Sequence, residues 1–238
     1  MGIFMMQLDL PVPCYTRICR RAINLVQELK SLTKGCPTDI VFDSTGVKVY
    51  GEGDWKVRQH GKGKRRTWRK VHLGVCPDPH EIVLSELTES KQTDGKVGKK
   101  MAKKIPKNVK TAFGDGAYDR GLFYQELYEH GIQAIIPPRR DGRLQKLDRK
   151  PWFKDRNDAI RAITGLGKDN EARKLWKILS RYHKRSIGET AMSRFKRIFG
   201  GEFRARKLKR QKAELYDKSI AMNKMTLLGM PKSERVAA

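Results

Sequence analysis

Apolar and polar positions change period several times along the chain, and the changes mark out its elements. Residues 7–13 read Gln-Leu-Asp-Leu-Pro-Val-Pro, and prolines on both sides of Val12 predict an extended segment. From 15 to 30, Ile18, Ala22, Leu25 and Leu29 recur at intervals of three or four. That spacing predicts a helix with Thr16 capping its start. Gly35 and Pro37 close the region. A strand follows through Ile40-Val41-Phe42, with Val47 and Val49 alternating against Gly46 and Lys48. Alternation returns from Trp68 to Val75, turns at Pro77-Asp78-Pro79-His80 and resumes from Glu81 to Leu87. Three strands with such connections predict an antiparallel meander.

Beyond the meander the period lengthens. Val97, Met101 and Ile105 predict a helix over 94–105. Val109 to Phe113 reads as a fourth strand, 119–130 as a helix stopped by Gly131, and Ile132 to Ile136 as a fifth strand before Pro137-Pro138. The fold class is therefore mixed α/β, a five-stranded mixed sheet flanked by helices. Helical patterns resume near Asp155, with interruptions at Gly165 and Gly167, and a helix is expected over about 180–199. A short apolar helix (Met222, Met225, Leu228) and a disordered tail are expected at the end. Three units follow: an N-terminal segment 1–37, a core domain 38–212 and a C-terminal tail 213–238.

Charge changes the picture. Of 238 residues, 52 are Lys or Arg and 26 Asp or Glu, a net charge of +26. So large an excess repels itself in a compact state and favours a polyanionic partner, with nucleic acid the default. Two basic runs stand out. Residues 56–70 contain Lys64, Arg65, Arg66 and Arg69, and residues 201–212 contain Arg204, Arg206 and Arg210. Arg17, Arg20 and Arg21 are either the outer face of a packing helix or a backbone contact to DNA. No apolar run approaches the roughly 18 residues of a membrane span, and no secretory signal pattern opens the chain. Cysteines 14, 19, 36 and 76 fit no zinc spacing and read as thiols of a reducing cytosol.

The candidate chemistry centres on Tyr182 to Lys196. On a helix at 100° per residue, Tyr182, Arg185, Glu189 and Lys196 fall within about 60° of one another. That face is either a solvated ion-pair surface or part of a site. Asp43 and Asp115 each end an apolar strand and lie beside glycine, at Gly46 and Gly116. If the first and fourth strands are neighbours, the two carboxylates meet, and two such groups repel unless a cation lies between them. Mg²⁺ binds through carboxylates and substrate phosphates, and a pair of ions suits an in-line phosphoryl displacement. Glu189 would complete such a set.

These motifs resemble those of DDE transposases of the insertion-sequence IS5 group, within the IS4-like superfamily. Asp43-Ser44-Thr45-Gly46 is similar to the first catalytic motif and Gly114-Asp115-Gly116-Ala117-Tyr118-Asp119 to the second. Tyr182-x2-Arg185-x3-Glu189-x6-Lys196 matches the third signature at every position. Leu8 to Pro13 and Arg65 to Leu73 also resemble the family, so the likeness covers about 8–212. It implies a ribonuclease-H-like catalytic domain in which Asp43, Asp115 and Glu189 hold two Mg²⁺ ions, with Mn²⁺ as a substitute. It implies DNA cleavage at insertion-sequence ends, then attack of the freed 3′-hydroxyl on target DNA. Arg185 and Lys196 would contact phosphates near the scissile bond, and Tyr182 would bond to or stack on a displaced nucleotide, or simply pack beneath the helix. The partners implied are terminal inverted repeats, target DNA and further copies of the chain in a synaptic multimer, in the bacterial cytosol or nucleoid. Family members usually carry a helical region ahead of the Leu-Pro-Val-Pro segment. The expectation is therefore an N-terminally truncated copy with impaired transposition. The rival readings are a non-catalytic basic DNA-binding remnant and a nuclease of the same fold.

Overall fold

A computed structural model describes residues 14–24, 38–49 and 68–229. Helix α1 (Tyr15–Asn24) opens one residue before Thr16, and the remainder of the expected 15–30 helix lies outside the described residues. Ile18, expected on its packing side, is 52% exposed. Strands β1 (Asp39–Val49), β2 (Trp68–Cys76) and β3 (Glu81–Glu89) form the expected antiparallel meander. The alternation then follows: helix α2 (Asp94–Ala102), strand β4 (Thr111–Phe113), a 3-10 turn at Gly116–Tyr118, helix α3 (Gly121–Glu129) and strand β5 (Gln133–Ile135). Gly131 stands just past α3 at φ +67, the left-handed turn that glycine adopts without a steric penalty.

The strand order is β3-β2-β1-β4-β5, with β1 antiparallel to β2 and parallel to β4, and β4 parallel to β5. A sixth strand, β6 (Glu202–Phe203), pairs with the far end of β1, beyond the five expected. It arises inside the basic run 201–212. Helices α4 (Lys154–Gly165), α5 (Asn170–Leu179), α6 (Ser186–Phe199) and α7 (Leu208–Leu227) complete the described chain. None of these helices is long and apolar enough to cross a membrane.

Alternation along β1 divides the core between the two faces of the sheet. Ile40 and Phe42 join Val97, Met101, Tyr118, Phe123 and Leu127 under α2 and α3. Val47, Val71, Leu73 and Val75 face the other way and join Met192, Phe195, Leu215 and Met222 of α6 and α7. The period-2 rule would strand half of β3, but the register against β2 shifts between Gly74 and Val75. Val83 is the extra residue of this bulge, so Ile82 and Leu87 serve one face while Val83 and Leu84 serve the other.

Helix α7 is longer than the short apolar helix expected here, and the part of the expected tail beyond residue 229 lies outside the described residues. The helix begins before residue 212 and runs through the expected domain boundary, with Leu215, Ser219, Met222 and Asn223 buried. Its polar anchors are specific. The Asn223 amide accepts from the Ile82 N–H at 2.8 Å and donates to the Ile82 carbonyl at 2.7 Å. At the opposite edge of the sheet, the Asp155 carboxylate accepts from the Ala134 N–H of β5 at 2.6 Å. Glu86 on β3 receives Lys100 of α2 at 2.9 Å and Lys212 of α7 at 3.3 Å, tying both helical layers to one strand. Burial raises its carboxyl pKa, but the two ammonium groups outweigh burial and hold it below the ordinary value. His72 is fully buried against Thr88 and Asp94, and burial pushes its pKa down to about 4, so it stays neutral.

If α7 is part of the core, Leu215→Ala should lower the unfolding free energy by about 2–5 kcal/mol, as for a buried leucine. Leu228→Ala, at a side chain 88% exposed, should stay within about 0.5 kcal/mol. Urea midpoints of the two variants against the parent check this.

Candidate active site

Parallel pairing of β1 and β4 sets Asp39 against Thr111, Ile40 against Ala112 and Val41 against Phe113. Continuing that offset by two residues brings Asp43 level with Asp115. The first and fourth strands are thus neighbours, as the aspartate pairing requires. Asp43 lies within β1 and is buried, with its Oδ1 accepting from the Ser44 N–H at 2.9 Å. Asp115 caps the 3-10 turn after β4, its Oδ1 accepting from the Ala117 N–H at 2.9 Å. Beneath that turn Tyr118 packs on Phe42 and Phe123, with ring centroids at 6.0 and 5.3 Å. The packed ring fixes where Asp115 stands.

The third carboxylate comes from α6. The expected continuous helix over 180–199 is broken: α5 ends at Leu179, Arg181 adopts the left-handed conformation at φ 56, and Tyr182–Arg185 forms a 3-10 turn. The regular helix starts only at Ser186 and places Glu189 in its first turn, where the macrodipole favours an acid. Gly200, at φ +78, ends it. Arg185 and Glu189, expected on one helix face, form an ion pair.

Gly188 is what lets α6 reach the sheet. A methyl group there would stand 2.9 Å from Val41 Cγ1 and 3.0 Å from Asp43 Cβ, inside van der Waals contact. Sequence reading passed over this residue. The signal was present: a lone glycine inside a helical pattern, at a cost of about 1 kcal/mol relative to alanine, calls for a packing reason.

One guanidinium joins the three acids. Arg185 Nη2 lies 3.4 Å from Asp43 Oδ1 and 3.8 Å from Asp115 Oδ2, and Nη1 pairs with Glu189 Oε1. Asp43 therefore has the environment of a buried acid. Burial raises its pKa above the ordinary value, the Ser44 N–H and Arg185 oppose the rise, and Asp115 and Glu189 add to it. For Arg185, burial disfavours the charge, but the surrounding acids and Tyr182 outweigh burial and hold it firmly protonated. Tyr182 is half-buried, its ring tilted against Trp176 at 6.1 Å between centroids, with Lys177 over it at 5.6 Å. Burial pushes its phenol up to about 12.

As the side chains stand, no three acid, His or Cys groups among the described residues converge closely enough to chelate one ion. The Arg185 guanidinium lies among the three carboxylates and pairs with each of them. The donor chemistry nonetheless fits Mg²⁺ or Mn²⁺, since all three groups offer hard oxygens and carry more negative charge than Arg185 neutralises.

The other expected residues lie further off. Lys196 is exposed seven residues along α6, roughly 10 Å from Glu189, and makes no ion pair among the described residues. Lys64, Arg65 and Arg66 lie outside the described residues. Arg69 is half-buried, and its Nε donates to the buried Gln211 at 2.9 Å, so this arginine is built into the scaffold. Arg204, Arg206 and Arg210 are exposed, but beside β6, at the end of β1 some six residues or about 20 Å from Asp43. Glu214 holds the backbone there by accepting from the N–H groups of Arg204 and Ala205.

Two outcomes are expected of this geometry. Gly188→Ala should destabilise by about 1–3 kcal/mol through overpacking and weaken any binding that needs Glu189 beside Asp43. Urea titration and Mn²⁺ binding read the two effects. Asp43 gives a pH signature. Its folded pKa lies above the unfolded value of about 3.9, so the folded chain takes up the proton first. The penalty on its charge is complete at neutral pH and is relieved as pH falls through the raised folded value. Without divalent ions, Asp43→Asn should unfold at higher urea than the parent at pH 7, and the gap should close as the pH falls towards about 4.

Comparison with known proteins bears on what such a site belongs to. Two family models, both described as transposase DDE domain, match this sequence, one over residues 34–224 and the other over residues 3–52. A solved structure of the piggyBac transposase synaptic complex with hairpin DNA aligns at a TM-score of 0.28 and 11% identity, over 85% of this chain. The chain spans 56% of the length of that protein. The longer family match takes in β1, β4 and α6 with all three carboxylates, and by that match the chain belongs to the transposase DDE domain family.

Proposed function

We propose that this chain is a metal-dependent DNA strand transferase, cleaving DNA at insertion-sequence ends and joining the freed 3′-hydroxyl to target DNA. The observation that carries the reading is the gathering of Asp43, Asp115 and Glu189 from three separate elements onto one cation. A fold that only bound DNA would have no reason to bury a carboxylate and set two more around it in a chain of net charge +26. The mixed sheet with helices on both faces supports reading the described chain as a ribonuclease-H-like catalytic domain.

In this reading Asp43, Asp115 and Glu189 hold two Mg²⁺ ions, for which Mn²⁺ substitutes. When bound, the ions supply positive charge to the phosphate under attack. Arg185 balances the acids in their absence and has a second role once DNA is present. Its planar fork suits a phosphate as well as a carboxylate, so a backbone phosphate draws it out from between the acids. Substrate and metal then bind cooperatively. Lys196 meets the DNA further along α6 as a point charge. Tyr182, carried on the Trp176 face, borders the scissile region and stays protonated at neutral pH, so it donates a hydrogen bond. The DNA partners are terminal repeats and target, and a synaptic multimer holds the two ends together.

Labelled duplexes carrying the element ends, incubated with Mg²⁺ or Mn²⁺, should be nicked and joined. Asp43→Ala, Asp115→Ala and Glu189→Ala should each abolish cleavage while DNA affinity stays near that of the parent. A variant that still cleaves removes its residue from the site. DNA retained by the parent with no cleavage in either metal leaves the non-catalytic DNA-binding reading. Arg185→Gln should bind Mn²⁺ at least about tenfold more tightly in the absence of DNA, the scale of one charged hydrogen bond released. Electron paramagnetic resonance of free Mn²⁺ measures that without any turnover.

A further inference from the structure

Residues 139–150 follow β5 as a stretch with no helix or strand. Loops of this length inside a compact domain need a reason, and two observations about this one go together. The first is that its backbone is fastened from below. Arg156, almost fully buried, donates from Nε to Asp119 at 2.7 Å and from Nη1 to the Arg143 carbonyl at 2.9 Å. The other Asp119 oxygen accepts from the Arg139 N–H at 3.0 Å. Asn157, 1% exposed, bonds both backbone groups of Gln145, at 3.0 and 2.8 Å. Arg173 of α5 donates to the carbonyls of Pro138 and Arg139. Gly142 fits so tightly that a methyl group there would stand 2.9 Å from the Arg139 carbonyl and 3.0 Å from Arg156 Nη2.

The second observation concerns what this fastened segment presents. Arg139, Arg140, Arg143, Lys146, Arg149 and Lys150 are all exposed, against only Asp141 and Asp148. Elsewhere Lys70, Lys100, Lys184, Arg185, Lys212 and Lys218 pair with acids. Among the described residues none of the six on this segment makes an ion pair. Holding six unneutralised cations on a rigid backbone is unfavourable by self-repulsion, unless an anion of matching length completes it. The place is also specific. The Pro137 carbonyl lies 3.8 Å from where a Cβ on Gly116 would stand, one residue from Asp115. Asp119, which anchors the segment, belongs to the same turn region.

We propose that residues 139–150 form a preorganised platform that grips the phosphate backbone of duplex DNA beside the three carboxylates. The inference rests on the strand-transferase reading for what lies beside it, but its own content is binding. Because the backbone is already ordered, the platform loses little conformational entropy on contact, unlike a solvated basic tail. It carries no sequence preference, since phosphate contacts position a duplex and base contacts read it.

The test compares two triple variants that remove equal charge. Arg139→Ala/Arg140→Ala/Arg143→Ala strips the platform, and Lys103→Ala/Lys104→Ala/Lys107→Ala strips exposed lysines after α2. Affinity for a labelled duplex is followed by fluorescence anisotropy across a salt series. With about 0.9 in slope per phosphate contact, the platform triple should lower the slope of log affinity against log salt by about 2–3, and the control triple by less than about 1. Equal changes in both, no change in the platform triple, or no duplex binding by the parent at about 50 mM salt would each overturn the platform. Asn157→Ala, which keeps all six charges but frees Gln145, should weaken binding with little change in slope. The two readings fail separately. A parent that binds through the platform yet never cleaves sinks the strand-transferase reading alone. A parent that cleaves while the platform triple keeps its slope sinks the platform alone.

Discussion

The site is organised by a balance of charge around Arg185. Three carboxylates from β1, the turn after β4 and the start of α6 would repel one another in a half-buried setting, and one guanidinium offsets part of that repulsion. The balance is incomplete, because burial still pushes the Asp43 carboxyl towards its neutral form. A site left short of positive charge attracts more of it. The cation that completes it in use need not be the one that holds it in the free protein. Arg185 belongs to the chain and pairs with all three acids, so it offsets their charge as soon as the fold forms.

Everything else positions those four groups to within the tolerance such a balance allows. The parallel pairing of β1 with β4 sets the two aspartates level. Phe42, Tyr118 and Phe123 set the turn that carries Asp115. Gly188 sets how closely α6 approaches, and the packing of Met192 and Phe195 on the Val71–Val75 face holds it there.

Much of this was legible in the sequence because it depends on period and spacing. The meander, the later β-α-β alternation, Asp115 just past an apolar strand and the shared face of Arg185 and Glu189 all rest on local chain geometry, whereas Asp43, expected at a strand end, lies inside β1 because the strand runs on to Val49. What was not legible depends on contacts between residues far apart. Helix α7 looked like a weak apolar patch because its burial is shared between leucine and methionine and the polar Gln211, Ser219 and Asn223. Strand β6 is two residues long and exists only because β1 runs on beyond β4 to receive it. Arg69 read as one more DNA-facing base until Gln211, 142 positions away, took its Nε. The break at Arg181 had no marker, since arginine carries no preference for the left-handed turn that it adopts.

The two outer strands carry a consequence of another kind. Asn223 occupies both backbone groups of Ile82 on β3, and Asp155 occupies the N–H of Ala134 on β5. Each edge thus has a side chain where a further strand would have to bond. Unprotected sheet edges are templates for strand addition and the start of ordered aggregates. Each outer strand is thereby blocked at one position, Ile82 on β3 and Ala134 on β5. Were copies of this chain to gather on one nucleic acid, as proposed, these two side chains would disfavour pairing of their sheets through Ile82 and Ala134.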